Sequence, residues 1–330
     1  MIKYKIYFRF ANQITNLSPE NTCMALIVVG TMAFDAIETP FGKVDKIIGG
    51  SATYVAYTAA NFVTPIQQVS IIGDDFPDDE VAELTRRGVD FAGVEKVKGK
   101  KSFFWSGKYH MDMNTRDTLV TDLNVLTDFN PVIPESYQGA EFLMLGNVDP
   151  ELQLKVINQM KVRPKMIVMD TMNYWMASAM PKLKEALKKV DALLVNDSEA
   201  RELSGEFSLV KAARKIMQMG PKYLIIKKGE HGALLFHESL VFFAPALPLE
   251  EVFDPTGAGD TFAGGFIGHL ARTKDLSFEN LKTAIIVGSA MASFCVEKFG
   301  PERLRTLTRP EIDERIRQFV ELVNFDIQLV

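Results

Sequence analysis

Short, β-rich apolar runs alternate with amphipathic stretches from Met24 to Val323, and no other feature limits the fold of this chain as tightly. Leu26–Val29, Val69–Ile72, Phe142–Leu145, Met166–Met169, Ala192–Val195, Tyr223–Lys227 and Ala233–Phe236 are short and mostly rich in branched residues, so they read as strands. Helical spacing of apolar residues predicts helices over 51–63, 78–87, 150–160, 176–189, 198–204, 208–219, 258–272, 278–297 and 310–323. Asp75-Phe-Pro77 followed by Asp78, Asp79 and Glu80 marks a helix start, with acids near the positive end of the dipole, and Gly88 marks its stop. Strand–helix alternation requires crossovers, hence an α/β chain with a mostly parallel sheet covered on both faces. Ligands are then expected at the carboxyl ends of the strands. Two segments break the alternation: Ile37–Ile48 and Lys101–Val120 are aromatic- and charge-rich ribbons with no helix between their strands. By themselves they read as a pair of surface hairpins.

Composition removes several function classes. With 330 residues and 47% hydrophobic content the chain can build a sizeable core, and a formal charge of −5 argues against nucleic acid or a membrane surface as the main partner. Two cysteines form neither a disulfide framework nor a metal spacing, which suits a reduced, cytoplasmic setting. The four histidines show no paired-ligand pattern. Cys23–Phe34 is apolar and follows Lys3, Lys5 and Arg9, but those charges lie far upstream and no small-residue cleavage site precedes Asp35, so a buried strand is expected rather than a signal peptide. There is no GxxxxGK[ST], no GxGxxG and no GxSxG.

The chemistry concentrates in Asp254-Pro-Thr-Gly-Ala-Gly-Asp-Thr-Phe-Ala-Gly-Gly, which runs into an apolar helix. A turn of small residues at a helix N-terminus leaves backbone N–H groups unpaired and able to cradle a phosphate. Asp260, in the first helical turn, can then sit beside whatever attacks that phosphate. A bland alternative is a glycine-rich elbow, and Gly264, Gly265 and Gly268 cost the helix about 1 kcal/mol each, which implies close approach by a strand or a ligand. This stretch resembles the C-terminal signature of the PfkB, or ribokinase-like, family of carbohydrate and nucleoside kinases, and similarity extends over nearly all of the chain from Met24. The resemblance implies a three-layer fold with a small β-sheet lid, formed here by segments 36–49 and 100–121 of a kinase domain spanning 24–330. It also implies transfer of the γ-phosphate of ATP to an alcohol, with Asp260 as base and Gly257, Ala258 and Gly259 as the anion hole.

Further motifs follow the family order. Gly49-Gly50-Ser51-Ala52-Thr53-Tyr54 resembles the N-terminal signature beside the substrate, with Tyr54 where relatives commonly carry Asn; alone it reads equally as a turn before a helix. Asp35 matches the aspartate that holds substrate hydroxyls, but Ala33 stands where many sugar kinases have Asn. Asn147 is a candidate substrate contact or a plain helix-entry residue. Asn196-Asp197-Ser198-Glu199 resembles the Asn-x-x-Glu motif, whose glutamate organises Mg²⁺ through water, and is equally a capping box. Lys227-Lys228-Gly229-Glu230-His231-Gly232 resembles the nucleotide-side loop, with Lys227 as added charge against the phosphates or simply solvated. Ala284–Gly300 resembles the adenine-flanking helix and loop. Asp254 and Thr256 align with residues that bind a monovalent cation in some relatives, so K⁺ is a candidate alongside Mg²⁺ and ATP.

The expected acceptor is a small sugar or polyol. The alternative is a nucleoside, which Ala33, Tyr54 and the lid aromatics Phe103, Phe104 and Trp105 would suit, and a non-catalytic sensor is a more remote one. An aspartate near ~3.9 is a weak base, so proton transfer should come late and most catalysis should come from positioning and charge. Exposed lid edges could pair two copies into a homodimer. Residues 1–23 precede the family pattern and read as an added β-like segment, Ile2–Phe10, or as residues ahead of the native start.

Overall fold

The computed structural model describes residues 26–324, and the N-terminal extension therefore lies outside the described residues. β1 (Leu26–Val29) leads into β2 (Ala33–Thr39) and β3 (Gly42–Gly49), which leave the main sheet. The chain returns through helix Ser51–Ala59 to β4 (Ile66–Gly73), then helix Asp78–Arg86 and β5 (Val89–Val97). β6 (Phe103–Tyr109) and β7 (Arg116–Asp122) leave it again. β8 (Phe142–Leu145), β9 (Met166–Asp170), β10 (Ala192–Asn196) and β11 (Tyr223–Lys227) then alternate with helices, and β12 (Ala233–His237) and β13 (Leu240–Ala244) finish the strands. Helices Ala258–Thr273, Phe278–Cys295 and Arg309–Leu322 close the domain.

The main sheet has nine strands in the order β13-β12-β11-β10-β9-β8-β1-β4-β5, parallel except where β12 and β13 fold back as antiparallel neighbours. Its central strands send alternate residues to opposite faces. Leu26, Val28, Phe142 and Met144 enter one core with helices Ser51–Ala59, Ala258–Thr273 and Phe278–Cys295, while Ile27, Val29, Leu143 and Leu145 enter the other. Both faces are buried, which is why these strands read as continuous apolar runs. β5 and β13 were not foreseen: at the sheet's two edges, Val89–Val97 carries charges and Leu240–Ala244 is largely exposed, so neither shows a buried-strand pattern. The helix expected over 176–189 is two pieces, Asn173–Ser178 and Met180–Leu187, because Pro181 fits only in the first turn of a new helix.

The two ribbons are one lid sheet, β3-β2-β6-β7, with β2 and β6 parallel and the outer pairs antiparallel. β2 begins at Ala33, ahead of the expected lid segment 36–49, so Asp35 itself sits within a lid strand. Phe34 and Phe104 stand opposite each other and pack with Met32, Ile48, Ile72 and Phe76. Asp35 stands opposite Trp105, and these two side chains leave the other face. The helical glycines are explained by neighbouring helices rather than by a strand or a ligand: a Cβ on Gly264 would lie 2.8 Å from Val55 O and one on Gly265 3.0 Å from Gly288 Cα. Among the described residues no helix is long and apolar enough to cross a membrane.

Candidate active site

Gly257 caps helix Ala258–Thr273 in the left-handed conformation, φ 76°. A Cβ at this position would also overlap the Tyr54 ring, so the position demands glycine twice over. The turn is pinned by Asp254, whose Oδ1 accepts from Thr256 N (2.8 Å) and Oδ2 from Gly300 N (2.9 Å). Phe253 N donates to Val296 O, so the turn is also tied to the end of helix Phe278–Cys295. Thr256 Oγ1 donates to Tyr109 OH on the lid at 3.2 Å. The first-turn N–H groups of Gly259 and Asp260 thus point from a rigid turn with no residue four positions back inside the helix to receive them.

Asp260 has no hydrogen-bond partner among the described residues and is pushed up to about 7, first by burial and then by Asp170, with Lys227 and Arg116 pulling the other way. A carboxylate near 7 is a far better base than one at its ordinary value, so the expectation of a weak base is corrected by burial. Asp35 is pushed up to about 8 by burial, then by Asp254 and Asp260, and its carboxyl occupies the space that the missing Cβ of Gly49 leaves free. Gly50 caps helix Ser51–Ala59. The two N-terminal signature glycines and the C-terminal turn therefore meet at one place.

Lys227, at the carboxyl end of β11, donates to Asp170 Oδ2 at 2.9 Å, and its Nζ lies 3.0 Å from where a Cβ on Gly259 would be. Burial alone would lower its pKa, but Asp170, Glu199 and Asp260 hold it above the ordinary value. It is therefore a fixed cation at the first turn of helix Ala258–Thr273, not a solvated one. Asp170 went unnoticed in the sequence, although a carboxylate ending an apolar parallel strand is where ligands gather. Asn196 and Glu199 do form a capping box: Asn196 Oδ1 accepts from Glu199 N (2.8 Å) and Glu199 Oε2 from Asn196 N (2.7 Å). Yet Glu199 is pushed up to about 7, mainly by burial and then by Asp170, and its Oε1 has no hydrogen bond within the chain among the described residues. The capping and ligand readings are compatible.

Among the described residues no group of three or more acidic, histidine or cysteine side chains forms a metal cage. Mg²⁺ needs none, since one or two carboxylates, phosphates and waters complete its shell, and the Asp170–Glu199 pair fits that requirement. Gly229 and Gly232 shape the loop after β11, with positive φ at both. Asn147 is held on both sides: its Nδ2 donates to Met172 Sδ (3.0 Å) and its Oδ1 accepts from Trp175 Nε1 (2.9 Å). Tyr54 is fully buried, with its ring on Gly257 and its hydroxyl unpartnered. Tyr54→Phe should therefore hold or raise the melting temperature of the ligand-free protein. A clear loss of stability, measured by calorimetry, would mean that this hydroxyl has a structural partner.

The family model for pfkB family carbohydrate kinases matches residues 25–306. A cytidine kinase of Thermococcus kodakarensis is 32% identical over 257 residues, covering 76% of this chain and 90% of that protein. The nucleoside kinase of Burkholderia thailandensis in complex with ADP-inosine shares the fold at a TM-score of 0.73 and 19% identity, covering 90% of this chain and 96% of that one. A proposed ribokinase II of E. coli in complex with ATP and Mg²⁺ shares it at a TM-score of 0.73 and 18% identity, covering 90% and 99%.

Proposed function

The chain belongs to the pfkB family of carbohydrate kinases, and on that premise we propose that it moves the γ-phosphoryl group of ATP onto a sugar hydroxyl of a nucleoside. The observation that supports the acceptor class is the pairing of Asp35 with Trp105 across β2 and β6, which puts a carboxylate and an indole on one face of the lid, the indole lying over Gly107 with its Nε1 donating to Thr118 Oγ1 on β7. A carboxylate accepts two hydroxyls of a ribose, and an indole offers a face to a base. Cytidine and inosine, named for the relatives, are the first acceptors to test.

In this reading Asp260 takes the proton of the attacking hydroxyl while the first-turn N–H groups and Lys227 meet the charge on the transferring phosphoryl group. Asp35 and the Gly49–Gly50 turn orient the sugar, and Asn147 adds a contact that Trp175 and Met172 hold in place. Asn196, Gly229, Gly232 and Thr256 belong to the nucleotide side. Glu199 and Asp170 would hold a Mg²⁺ ion through water, and that ion would supply charge neutralisation at the phosphates of ATP. Asp254 and Thr256 form the candidate K⁺ position. Carboxylates gathered around one lysine favour ligands that bring cations with them. The cytoplasm supplies the ATP, and the exposed edge strand β7 is the candidate dimer contact.

Thermal shift discriminates the acceptors. A nucleoside at about 100 Kd should add ~2.7 kcal/mol of stability, while ribose at the same concentration adds little. An equal or larger shift with ribose or a polyol would assign the site to a free sugar instead. Acceptor-dependent ADP release is the companion assay.

A further inference from the structure

Gln153 lies on helix Pro150–Gln159, between β8 and β9, and is fully buried. Its Nε2 donates twice, to Gly146 O (2.9 Å) and to Asp170 O (3.0 Å). Turned the other way round, the amide would set its oxygen against two carbonyl oxygens, so the nitrogen is fixed in that place. Its Oε1 has no partner among the described residues. Burying an unpartnered oxygen is costly, and a methionine would fill a similar space without one. Volume alone therefore does not account for glutamine at this position, whereas the two hydrogen bonds do.

Those bonds join two strands at the point where their ladder stops. The last β8–β9 pair is Leu145 with Met169, and Gly146 and Asp170 are the next residues of each strand. From there the two have different company. Gly146 N donates to Val29 O at the end of β1 (2.7 Å). A Cβ on Gly146 would lie 2.9 Å from Ser51 Oγ, next to the Gly49–Gly50 turn, and Gly146 leads directly into Asn147. Asp170 instead stays paired with Leu194 of β10, and its carboxylate accepts from Lys227 on β11. The acceptor side of the site thus hangs from β1 and β8, and the phosphate side from β9, β10 and β11. Gln153 spans the end of the ladder between the two groups with one nitrogen.

We propose that Gln153 is a positioning residue for phosphoryl transfer, its amide fixing the acceptor side of the site against the Asp170–Lys227 pair. The proposal rests on the kinase reading above and concerns that same site. Gln153 touches neither a substrate nor a reacting atom; it acts through Asp170 and through the Gly146–Asn147 step. In-line transfer needs the attacking oxygen and the phosphorus aligned at about 3–3.5 Å, and a misplacement of about 1 Å costs about 10²-fold in rate. Here the two reactants are held by separate groups of strands, so their alignment depends on what joins the groups. Without the clasp each side keeps its own ligand contacts, and only the match between the sides is lost. Such a loss belongs to kcat and leaves KM in place.

The test compares the full-length wild type with Gln153→Met, which keeps the bulk and removes the donor, and with Leu154→Ala. The latter opens a cavity beneath the same helix and leaves the clasp intact. Each is assayed with Mg·ATP and the best acceptor, and each is melted. Gln153→Met should lower kcat by about 10–100-fold, the range for loss of a partner that orients a site residue. Its KM values for ATP and for the acceptor should stay within about threefold of the wild type. Leu154→Ala should melt clearly below the wild type and keep its kcat. In an Asp170→Asn background the further loss from Gln153→Met should shrink, because the anchor that Gln153 places no longer holds Lys227 as an ion pair. Gln153→Asn, one methylene shorter, carries the same expectations if methionine prevents folding. A Gln153→Met kcat within about threefold of an active wild type overturns the proposal alone. So does a loss confined to one KM, or a loss that Leu154→Ala reproduces at an equal drop in melting temperature, or one that is undiminished beside Asp170→Asn. A wild type that phosphorylates no acceptor overturns the kinase reading and this proposal with it.

Discussion

Asp260→Asn lowers turnover by about 10²–10⁴-fold, the contribution of a positioned base, and leaves the fold intact. Asn keeps the shape of the side chain in the first turn of helix Ala258–Thr273 but cannot take the acceptor's proton. The pH dependence should change with it. In the wild type kcat/KM climbs as pH rises through about 7, where the buried carboxyl ionises; the variant's residual rate lacks that limb. Stability moves in the opposite sense. Folding raises Asp260 from its ordinary 3.8 to about 7, so between those values the folded state binds more protons than the unfolded one. The resulting penalty is absent below about 4, grows as pH climbs, and is complete above 7. Asp260→Asn, uncharged throughout, should therefore gain stability over the wild type as pH goes from 5 to 8. Melts at the two pH values check the sign, and turnover close to wild type in a folded variant would remove Asp260 from the mechanism.

Gly257→Ala should damage both folding and catalysis. A left-handed backbone costs an alanine about 1–2 kcal/mol, and a methyl group forced against the Tyr54 ring costs a further ~1–3 kcal/mol as overpacking. The sum, on the order of 2–5 kcal/mol, is a large share of the stability of an ordinary domain. Relief of the clash shifts the turn that aims the Gly259 and Asp260 N–H groups, so kcat should fall together with the melting temperature. Adding Tyr54→Ala removes the clash but not the backbone strain, and calorimetry of the double variant against Tyr54→Ala alone, which carries the same cavity, leaves the strain by itself. If Gly257→Ala melts within a degree of the wild type, the close contact between Gly257 and Tyr54 is not a feature of the folded protein.

Much of this site is legible in the residues. The Asp254–Gly265 stretch announces a helix N-terminus, an anion cradle and an adjacent carboxylate within a dozen positions, because each property is local. Asn196 and Glu199 are legible as a cap for the same reason, and the structure adds what the pattern could not: the capping glutamate keeps one oxygen free beside Asp170. Asp170 itself belongs to no local pattern, and its importance comes from Lys227, which lies two parallel strands away in the sheet. The lid ribbons are visible as breaks in the alternation, but which of their faces looks at the site is settled by the register that sets Asp35 opposite Trp105 and Phe34 opposite Phe104. The same holds for the edge strands β5 and β13, which are held in place by their neighbours and not by a buried pattern of their own.

The layers, the central strands with most of the helices between them, and the chemical identity of the phosphate turn follow from the residues alone, because periodicity, capping and turn preference act over a few residues. It takes the packed fold to gather Asp35, Asp170, Glu199, Lys227 and Asp260 around one partly buried space. That gathering turns a weak acid into a base near neutrality and a surface-looking lysine into a fixed cation, because desolvation and Coulomb energy depend on distance in space and burial, neither of which is written in the order of the chain.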